Sequence, residues 1–412
     1  MSAPSNTPET QGCDGSNATP PSPAIAPGAD LIDIPAAARR IGALGVDPRL
    51  RALLPEFDAP FFQAGLAGYS DAAMRLIARS LGAPFCVTEA LLDRTLLAGG
   101  RGFAKADLGE VEDNLPFGSA DHPLAGQLMG SDPETMAAAA VKMIEQGARA
   151  DREYRTAKEL RASRAERTFE VIDVNLACPV KKIERKARGG HWLREPRGAI
   201  DILRAVRDAL PSEVICSVKM RRAFDDTAEH ERAFFEIFDK AYELGYSWVT
   251  VHGRSVKQKY VGPSRWTFLR DLVALRRDRM IFGSGDVWGA REIFQMLEYT
   301  GVTAVSVARG CIGNPWVFRQ ARQMMRGEAP TAPTIGEQRD VLLQHFDYSR
   351  LVNGERLAGR LMRKFGIRFA AHHPQGDEVK RAFVRVESQD DWQQVVARFY
   401  GADSRELAAT AQ

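Results

Sequence analysis

The sequence predicts an α/β protein built as a (β/α)8 TIM barrel, followed by a C-terminal helical domain. From Ala59 onward, short apolar runs alternate with loops and helical segments eight times over about 265 residues, which matches such a barrel in number and length. Helices that separate strands this regularly imply right-handed crossovers between parallel strands. After Pro333 the alternation stops, and the remaining chain has the pattern of several helices.

Each predicted strand is a short apolar run that ends in a polar or glycine-containing loop. The eight predicted strands are Ala59–Leu66, Phe85–Glu89, Pro123–Met129, Phe169–Asn175, Val214–Met220, Trp248–His252, Met280–Gly283 and Ala304–Ala308. The third helix has a strong start signal in Asp132-Pro133-Glu134, with Asp at the cap and Pro in the first turn. The other predicted helices are Asp71–Leu81, Pro196–Ala209, His230–Leu244, Arg265–Arg276, Gly289–Tyr299 and one after Asn314.

Three segments lie outside the barrel, which is predicted to occupy residues 59–332, and one charged insertion lies within it. Residues 1–30 are expected to be disordered, because they cannot bury enough apolar surface to offset the entropy of ordering. Residues 31–58 can form a helical lead-in. Within the barrel, the charged insertion 149–168 is expected to be a solvated helical extension rather than a nucleic-acid contact. Residues 333–412 form the helical domain, which is basic from Arg350 through Arg385.

Composition limits the classes of partner and compartment. The 412 residues carry a formal net charge of +3, which does not by itself indicate a nucleic-acid partner. The five cysteines are far apart and include no CxxC pair, so neither a disulfide framework nor a metal site is suggested. No apolar run is long enough to span a membrane, and the N-terminus lacks the pattern of a secretory signal. We therefore expect a cytoplasmic protein with reduced thiols.

Polar residues follow the middle strands at the edge where TIM barrels place active sites. The third strand ends with Gln127, the fourth with Asn175 and Cys178, the fifth with Lys219, and the sixth with His252-Gly253-Arg254. Cys178 is followed by cationic residues, so its thiol could be an acid, a nucleophile or a ligand. A small buried core residue is the competing interpretation.

The last two strands end in glycine-rich loops, Gly283-Ser284-Gly285-Asp286 and Ala308-Arg309-Gly310. Glycines let backbone N–H groups approach an anion closely, and an arginine can pair with a phosphate. TIM barrels often bind a phosphate on these two loops. Taken together, these strand ends favour a phosphorylated cofactor.

The same motifs resemble the tRNA-dihydrouridine synthases, flavoenzymes that reduce uridine in RNA. The resemblance runs from about Ala59 to near Trp392, and RLMRKFGIRF resembles the family's RNA-binding helical domain. The chain departs from the family pattern at Ala64-Gly65-Leu66, where Ala-Pro-Met is common, in NLACP for NMGCP, and at Ser284, where Asn is usual. The resemblance rests on an ordered series of motifs: LAGYSD, VTEAL, QLMGSDPETMAAAA, NLACPVKK with GGHWLREP, SVKMR, VTVHGRSVKQKYVGPSRW, GSGDV and VARGCIGNPWVF.

The resemblance implies FMN across the mouth of the barrel, NADPH as reductant, and hydride transfer to C6 of a flipped-out uracil in tRNA. Cys178 would supply the proton to C5, and the protein would act as a monomer. The implied cofactor-binding residues are Leu66, Gln127, Lys219, His252, Ser284, Gly285, Asp286, Ala308 and Arg309. The implied substrate-binding residues are Asn175, Arg254, Arg363 and Lys364.

Three alternatives stay open. A flavin-dependent barrel reductase of a small molecule, such as a dihydroorotate dehydrogenase or ene-reductase relative, would need no basic helical tail. A dihydrouridine synthase could act on ribosomal RNA instead. A non-catalytic RNA-binding protein is disfavoured by Cys178, Lys219 and His252.

In the tail, the spacing of five basic residues predicts that they share one helical face: Arg356, Arg360, Arg363, Lys364 and Arg368.

Overall fold

The structure is a computed structural model that describes residues 26–98, 119–145 and 169–401. Its centre is a parallel sheet that closes on itself, because β1 (Phe61–Gln63) pairs with β9 (Ala304–Val307). The strands between them are β2 (Cys86–Val87), β3 (Leu91–Leu92), β4 (Leu124–Met129), β5 (Val171–Leu176), β6 (Ile215–Arg221), β7 (Trp248–His252) and β8 (Ile281–Ser284).

The closed parallel barrel confirms the predicted fold class. Eight of the strands correspond to the eight predicted apolar runs, and β7 has the predicted bounds. The additional strand, β3, is two residues long and pairs with Leu128 and Met129 at the end of β4. Sequence analysis missed β3, because two residues carry no measurable periodicity.

Helices cover the outside of the barrel, and Pro196–Ala209 has the predicted bounds. Asp132 caps its helix as expected, since its side chain accepts from the backbone N–H of Thr135 at 2.9 Å. The remaining barrel helices are Ala72–Ser80, Asp93–Leu97, Pro133–Glu145, Lys181–Glu184, Ala228–Glu243, Trp266–Leu275, Ala290–Thr300 and Trp316–Met325.

An aromatic cluster fills the barrel interior at the end opposite the active-site edge. Phe57 stacks on Phe85 at 5.1 Å between ring centres, and Trp248 stacks on Phe282 at 5.0 Å. Phe62 lies between these pairs, 5.5 Å from Phe85 and 5.6 Å from Phe282. This apolar layer excludes water from below, so polar side chains on the next layer up are shielded on one side.

The C-terminal helices form a packed unit of their own and also contact the barrel. They are Ile335–Asn353, Glu355–Phe369, Gly376–Val384 and Gln389–Tyr400. Trp392 lies at their centre with no exposed surface, 5.4 Å from Phe346 and 4.9 Å from Phe383. Tyr348 packs against Leu76 of the first barrel helix. These helices confirm the predicted helical region, whereas its boundary at residue 333 stays a prediction.

The segments before the barrel are only partly described. The lead-in contains helices Ile34–Leu44 and Pro48–Leu53. At the end of the predicted tail, Ala29 is buried and its carbonyl accepts from Gln295 at 2.8 Å, so this part packs on the barrel. Residues 1–25 and the predicted insertion 149–168 lie outside the described residues. Among the described helices, none combines the length and apolar character needed to cross a membrane.

Replacing Trp392 by Ala should lower the free energy of unfolding by about 3–5 kcal/mol, because truncating a buried tryptophan leaves a cavity. Urea unfolding followed by circular dichroism measures the change. Gln393→Ala, an exposed position on the same helix, is the control and should change stability by less than about 0.5 kcal/mol. Equal stability of the two variants would contradict a packed helical unit centred on Trp392.

Candidate active site

A chain of hydrogen bonds crosses the barrel interior just above the aromatic cluster. Ser217 Oγ donates to Asp173 Oδ1 at 2.6 Å, and Gln127 Nε2 donates to Asp173 Oδ2 at 2.7 Å. Asn175 Nδ2 in turn donates to Gln127 Oε1 at 2.7 Å. These contacts follow from the strand register, which places Asp173 opposite both Gln127 on β4 and Ser217 on β6. The chain therefore links three neighbouring strands.

The direction of this chain is set by Asp173. A carboxylate oxygen accepts hydrogen bonds, so Gln127 must turn its NH₂ group toward Asp173 and its oxygen toward Asn175. Asn175 must then present its own oxygen to the following loop, where it accepts from the backbone N–H groups of Ala177 at 2.9 Å and Cys178 at 3.1 Å. Asp173 thus fixes the orientation of the loop that carries Cys178.

The Cys178 loop is held from two further sides. Gly190 donates its backbone N–H to the Cys178 carbonyl at 3.0 Å, and Arg221 Nε donates to the Ala177 carbonyl at 3.0 Å. Gly189 has φ of +57°, and a Cβ there would lie 2.8 Å from Cys178 Cβ, so a glycine is needed beside the thiol. The half-buried Cys178 contrasts with Cys86 and Cys216, in which burial raises the thiol pKa to about 12.

Lys219 and His252 lie at the ends of β6 and β7. Lys219 Nζ is buried and has no hydrogen-bond partner among the residues that the structure describes. Burial lowers the pKa of Lys219 to about 8, although nearby Asp173 opposes this shift. The pKa of His252 is also lowered, first by burial and then by Arg221 and Lys219. His252 Nδ1 accepts from the Arg254 N–H at 3.1 Å, which leaves Nε2 as the N–H donor of the neutral ring.

The predicted phosphate loops converge on one pocket. Gly285 has φ of +116°, and a Cβ there would lie 2.3 Å from Ser264 Oγ, so only glycine fits. Ser284, Ala308 and Arg309 line the same pocket, together with His252. Gln127 and Lys219 line the adjoining space inside the barrel, together with Gly65 beside the predicted Leu66 contact. The structure therefore brings the predicted cofactor residues of the last three barrel strands together at the predicted edge.

Two predicted ligand-binding residues at this pocket are paired with each other. Asp286 Oδ2 accepts from Arg254 Nη2 at 2.7 Å and from the Ser264 N–H at 2.7 Å, and Arg309 lies 3.6 Å from its other oxygen. Arg254 was expected to contact RNA or cofactor, but it is buried and therefore cannot meet RNA at the surface. Its Nη1 atom has no partner in the described part of the chain. Asp286 Oδ2 is thus engaged by Arg254 and Ser264, and the role of Asp286 in cofactor binding stays a prediction.

Lys364, which was predicted to bind the substrate, contacts the barrel in the structure. Its Nζ donates to the Gly68 carbonyl and lies 4.7 Å from the centre of the Tyr69 ring. Gly68 in turn donates its N–H to Glu89 Oε2 at 2.8 Å. Lys364 therefore connects the helical region to the loop after β1. Arg363 is half-buried one residue earlier on the same helix.

Several residues of the site escaped sequence analysis. Asp173 appeared only as an interruption of an apolar strand, although its position two residues before Asn175 places both on one face of β5. Arg221 was noted only as part of a motif, and Tyr260 and Trp288 had no polar pattern to mark them. No group of three or more His, Cys, Asp or Glu side chains suited to a metal ion occurs in residues 26–98, 119–145 and 169–401.

Comparison with protein families identifies the chain. A sequence model described as dihydrouridine synthase (Dus) matches residues 154–402, well over half of the chain. The chain belongs to the dihydrouridine synthase family. This confirms the family resemblance, and the match includes Cys178 and both glycine-rich loops.

Individual relatives of this dihydrouridine synthase family member cover most of its length. The tRNA-dihydrouridine synthase B of Pseudomonas aeruginosa is 28% identical over 340 residues, which are 82% of this chain and 91% of the relative. A probable tRNA-dihydrouridine synthase of Mycobacterium tuberculosis is 29% identical over 363 residues, or 87% of each chain. Among solved structures, the old yellow enzyme homologue from Zymomonas mobilis has a TM-score of 0.41 at 14% identity, with 66% of this chain and 90% of that chain covered.

Replacing Lys219 by Met should stabilise the protein without bound ligand at neutral pH by on the order of 1–3 kcal/mol, because the variant removes a buried cation that has no partner among the described residues. A lysine whose pKa falls from 10.5 to about 8 on folding destabilises the fold fully below pH 8. That penalty disappears as the pH rises toward 10.5, because the unfolded chain then loses the same proton.

Urea unfolding of the wild type and Lys219→Met at about pH 7 and about pH 10 measures the difference. The advantage of the variant should shrink at the higher pH. Lys186→Met, at an exposed position near the same mouth, should show no such pH dependence. If Lys219→Met is no more stable than the wild type at either pH, the Lys219 ammonium group is hydrated rather than buried.

Proposed function

We propose that this protein is an FMN-dependent tRNA-dihydrouridine synthase, which reduces the C5–C6 double bond of uridine in tRNA with NADPH as reductant. The observation that carries the proposal is the placement of Cys178 on a rigid loop at a barrel mouth lined by Lys219, His252 and the two glycine-rich loops. The relatives named above are described as tRNA-dihydrouridine synthases, which supports tRNA as the substrate class.

The described residues fit FMN. Lys219 Nζ and Arg254 Nη1 are buried donors for which the described chain supplies no acceptor, and a bound flavin with its phosphate would supply acceptors. Gly285 leaves room for backbone N–H groups to approach the phosphate, and Arg309 offers its guanidinium to the same group. Lys219 and the Nε2–H of His252 would hydrogen-bond the pyrimidine side of the flavin ring. When bound and reduced, FMN supplies the hydride that C6 of uracil accepts.

Cys178 is the proposed general acid. Hydride addition at C6 leaves an electron pair at C5, and Cys178 Sγ–H would donate the proton that completes the new C–H bond. A protonated thiol can act as a general acid in this way. The loop positions the sulfur through three backbone contacts from Asn175, Gly190 and Arg221. Solvent would then reprotonate the thiolate.

The exposed cations around the mouth favour RNA over a small molecule. Lys181 and Arg185, which follow Cys178 in sequence, are exposed and can contact phosphates. Arg360 and Arg368 are exposed on the helix Glu355–Phe369.

Asn175 was expected to hold the uracil edge, but both the nitrogen and the oxygen of its side-chain amide form hydrogen bonds within the protein. A direct contact to uracil by Asn175 would therefore require one of these bonds to break.

The proposed reaction is tested by separating its two halves. Cys178→Ala should retain FMN and its reduction by NADPH but lose uridine reduction by about 10²–10⁴-fold, since only the second half needs the acid. Cys216→Ala, a buried cysteine away from the mouth, is the control and should keep both halves. Dihydrouridine in tRNA and ribosomal RNA is mapped by mass spectrometry in cells that lack the protein and in cells that express each variant.

Restoration of dihydrouridine in tRNA by the wild type but not by Cys178→Ala is the expected result. Restoration in ribosomal RNA alone would favour the alternative RNA substrate. If no dihydrouridine depends on the protein although its flavin is reduced, a small-molecule reductase is favoured instead. Normal dihydrouridine formation by Cys178→Ala would assign the acid to another group or to water.

RNA affinity should fall with salt, and the exposed arginines of the helical region should contribute to the slope. Replacing Arg360 and Arg363 by Gln should weaken tRNA binding and reduce the salt slope by about 0.7–0.9 for each lost phosphate contact. Fluorescence anisotropy at several salt concentrations measures the slope. Arg270→Gln, whose charge is paired with Asp271 on a barrel helix, should leave it unchanged. An unaltered slope in the Arg360/Arg363 variant would move the RNA contacts to other surfaces.

A further inference from the structure

The guanidinium of Arg309 contacts two aromatic rings at the predicted phosphate pocket. Its central carbon is 4.6 Å from the centre of the Trp288 ring and 4.9 Å from the centre of the Tyr260 ring. The two rings come from different loops, since Trp288 follows β8 and Tyr260 follows β7. We call Tyr260, Arg309 and Trp288 the arginine clamp.

The geometry of the arginine clamp leaves the guanidinium free to bind an anion. Rings cover the faces of a planar guanidinium, whereas its N–H donors point outward from the edge. Face contacts to rings and edge contacts to a phosphate therefore do not compete. Asp286 is 3.6 Å away, too far for a tight ion pair, and the Arg309 side chain keeps 37% of its surface exposed.

One ring of the clamp, Tyr260, is exposed and is held in place by a second arginine. Tyr260 is 49% exposed and has a second cation, Arg221, 5.6 Å from its ring centre. Arg221 is itself fixed by hydrogen bonds from Nη1 to the carbonyls of Ser255 at 2.9 Å and Lys259 at 2.8 Å. The Tyr260 loop is therefore tied to β6, which fixes one wall of the clamp. Trp288, the other wall, lines the pocket beside Gly285.

We propose that Tyr260 and Trp288 are positioning residues that hold the Arg309 guanidinium for the terminal phosphate of the flavin. They would thereby make the site select FMN over unphosphorylated riboflavin. This inference rests on the proposed FMN cofactor. Stacking removes rotamer freedom and hydration from the guanidinium before the ligand arrives, so less free energy is lost when the phosphate binds.

The test is a comparison of two ligands that differ only in the phosphate. Flavin-free protein is titrated with FMN and with riboflavin, and quenching of flavin fluorescence gives a Kd for each. Tyr260→Leu and Trp288→Leu should each lower the preference for FMN by about 2- to 30-fold, the range expected from losing one cation–π contact. The Kd for riboflavin should stay unchanged. Arg309→Lys, which keeps the charge but not the planar group, should also lower the preference.

Two controls isolate the clamp. Tyr299→Leu removes a ring that lies 5.4 Å from Arg270 on the outer helices, a pair of the same kind elsewhere, and should not alter the preference. In an Arg309→Ala background, the Tyr260 and Trp288 substitutions should have no further effect on the preference, because they act through Arg309.

The outcomes separate this inference from the proposed function. Equal weakening of FMN and riboflavin by Tyr260→Leu and Trp288→Leu would overturn the clamp, because the rings would then serve the flavin ring or the fold. An unchanged preference would overturn it as well. Equal affinity of the wild type for both ligands would overturn the phosphate role but keep a flavin site. Binding of neither ligand by the wild type would overturn both the clamp and the proposed cofactor.

Discussion

The orientation of the Asp173 carboxylate is the constraint on which the rest of the site depends. It lies in a layer closed from below by aromatic rings, where an unpaired polar group is costly. Once Asp173 accepts from Gln127, the side-chain amides of Gln127 and Asn175 can each form their hydrogen bonds in only one orientation. The backbone N–H of Cys178 is the last donor in that chain. The hydrogen bonds of a carboxylate deep in the barrel thus determine how the Cys178 loop is held at the mouth.

The charge balance of the mouth points to an anionic or electron-accepting ligand. Lys219, Arg254 and Arg309 converge there, with Asp173 and Asp286 as the nearby carboxylates. Both carboxylates are already engaged, Asp173 by Ser217 and Gln127, and Asp286 by Arg254. Burying cations without enough acceptors destabilises a fold, and such an arrangement is retained mainly where a ligand completes it. Burial lowers the pKa of Lys219 first of all, Asp173 opposes this shift, and Arg221 adds to it.

The sequence predicted the barrel and the convergence of its strand ends, because alternation and strand order determine which residues share an edge. It could not predict which polar groups at that edge would pair with each other. Arg254 looked like a free surface cation, but it pairs with Asp286, which is 32 residues away in sequence. Asp173 was overlooked because its partners come from neighbouring strands whose register only the closed barrel reveals. The arginine clamp was equally inaccessible, since aromatic residues in loops more often pack than bind.

The helical region contacts the barrel at two places near the mouth. Lys364 donates to the Gly68 carbonyl, and the Gly68 N–H is held by Glu89, so the loop after β1 is fixed from both the helical region and the barrel. A Cβ at Gly313 would lie 2.3 Å from Arg368 Cβ, so this helix also packs directly behind the Arg309 loop. Arg368 accordingly contributes to lowering the pKa of Arg309, after burial and Arg254. An RNA phosphate bound at Arg368 would oppose that repulsion. The charge of Arg368 therefore acts on Arg309 at the predicted phosphate pocket.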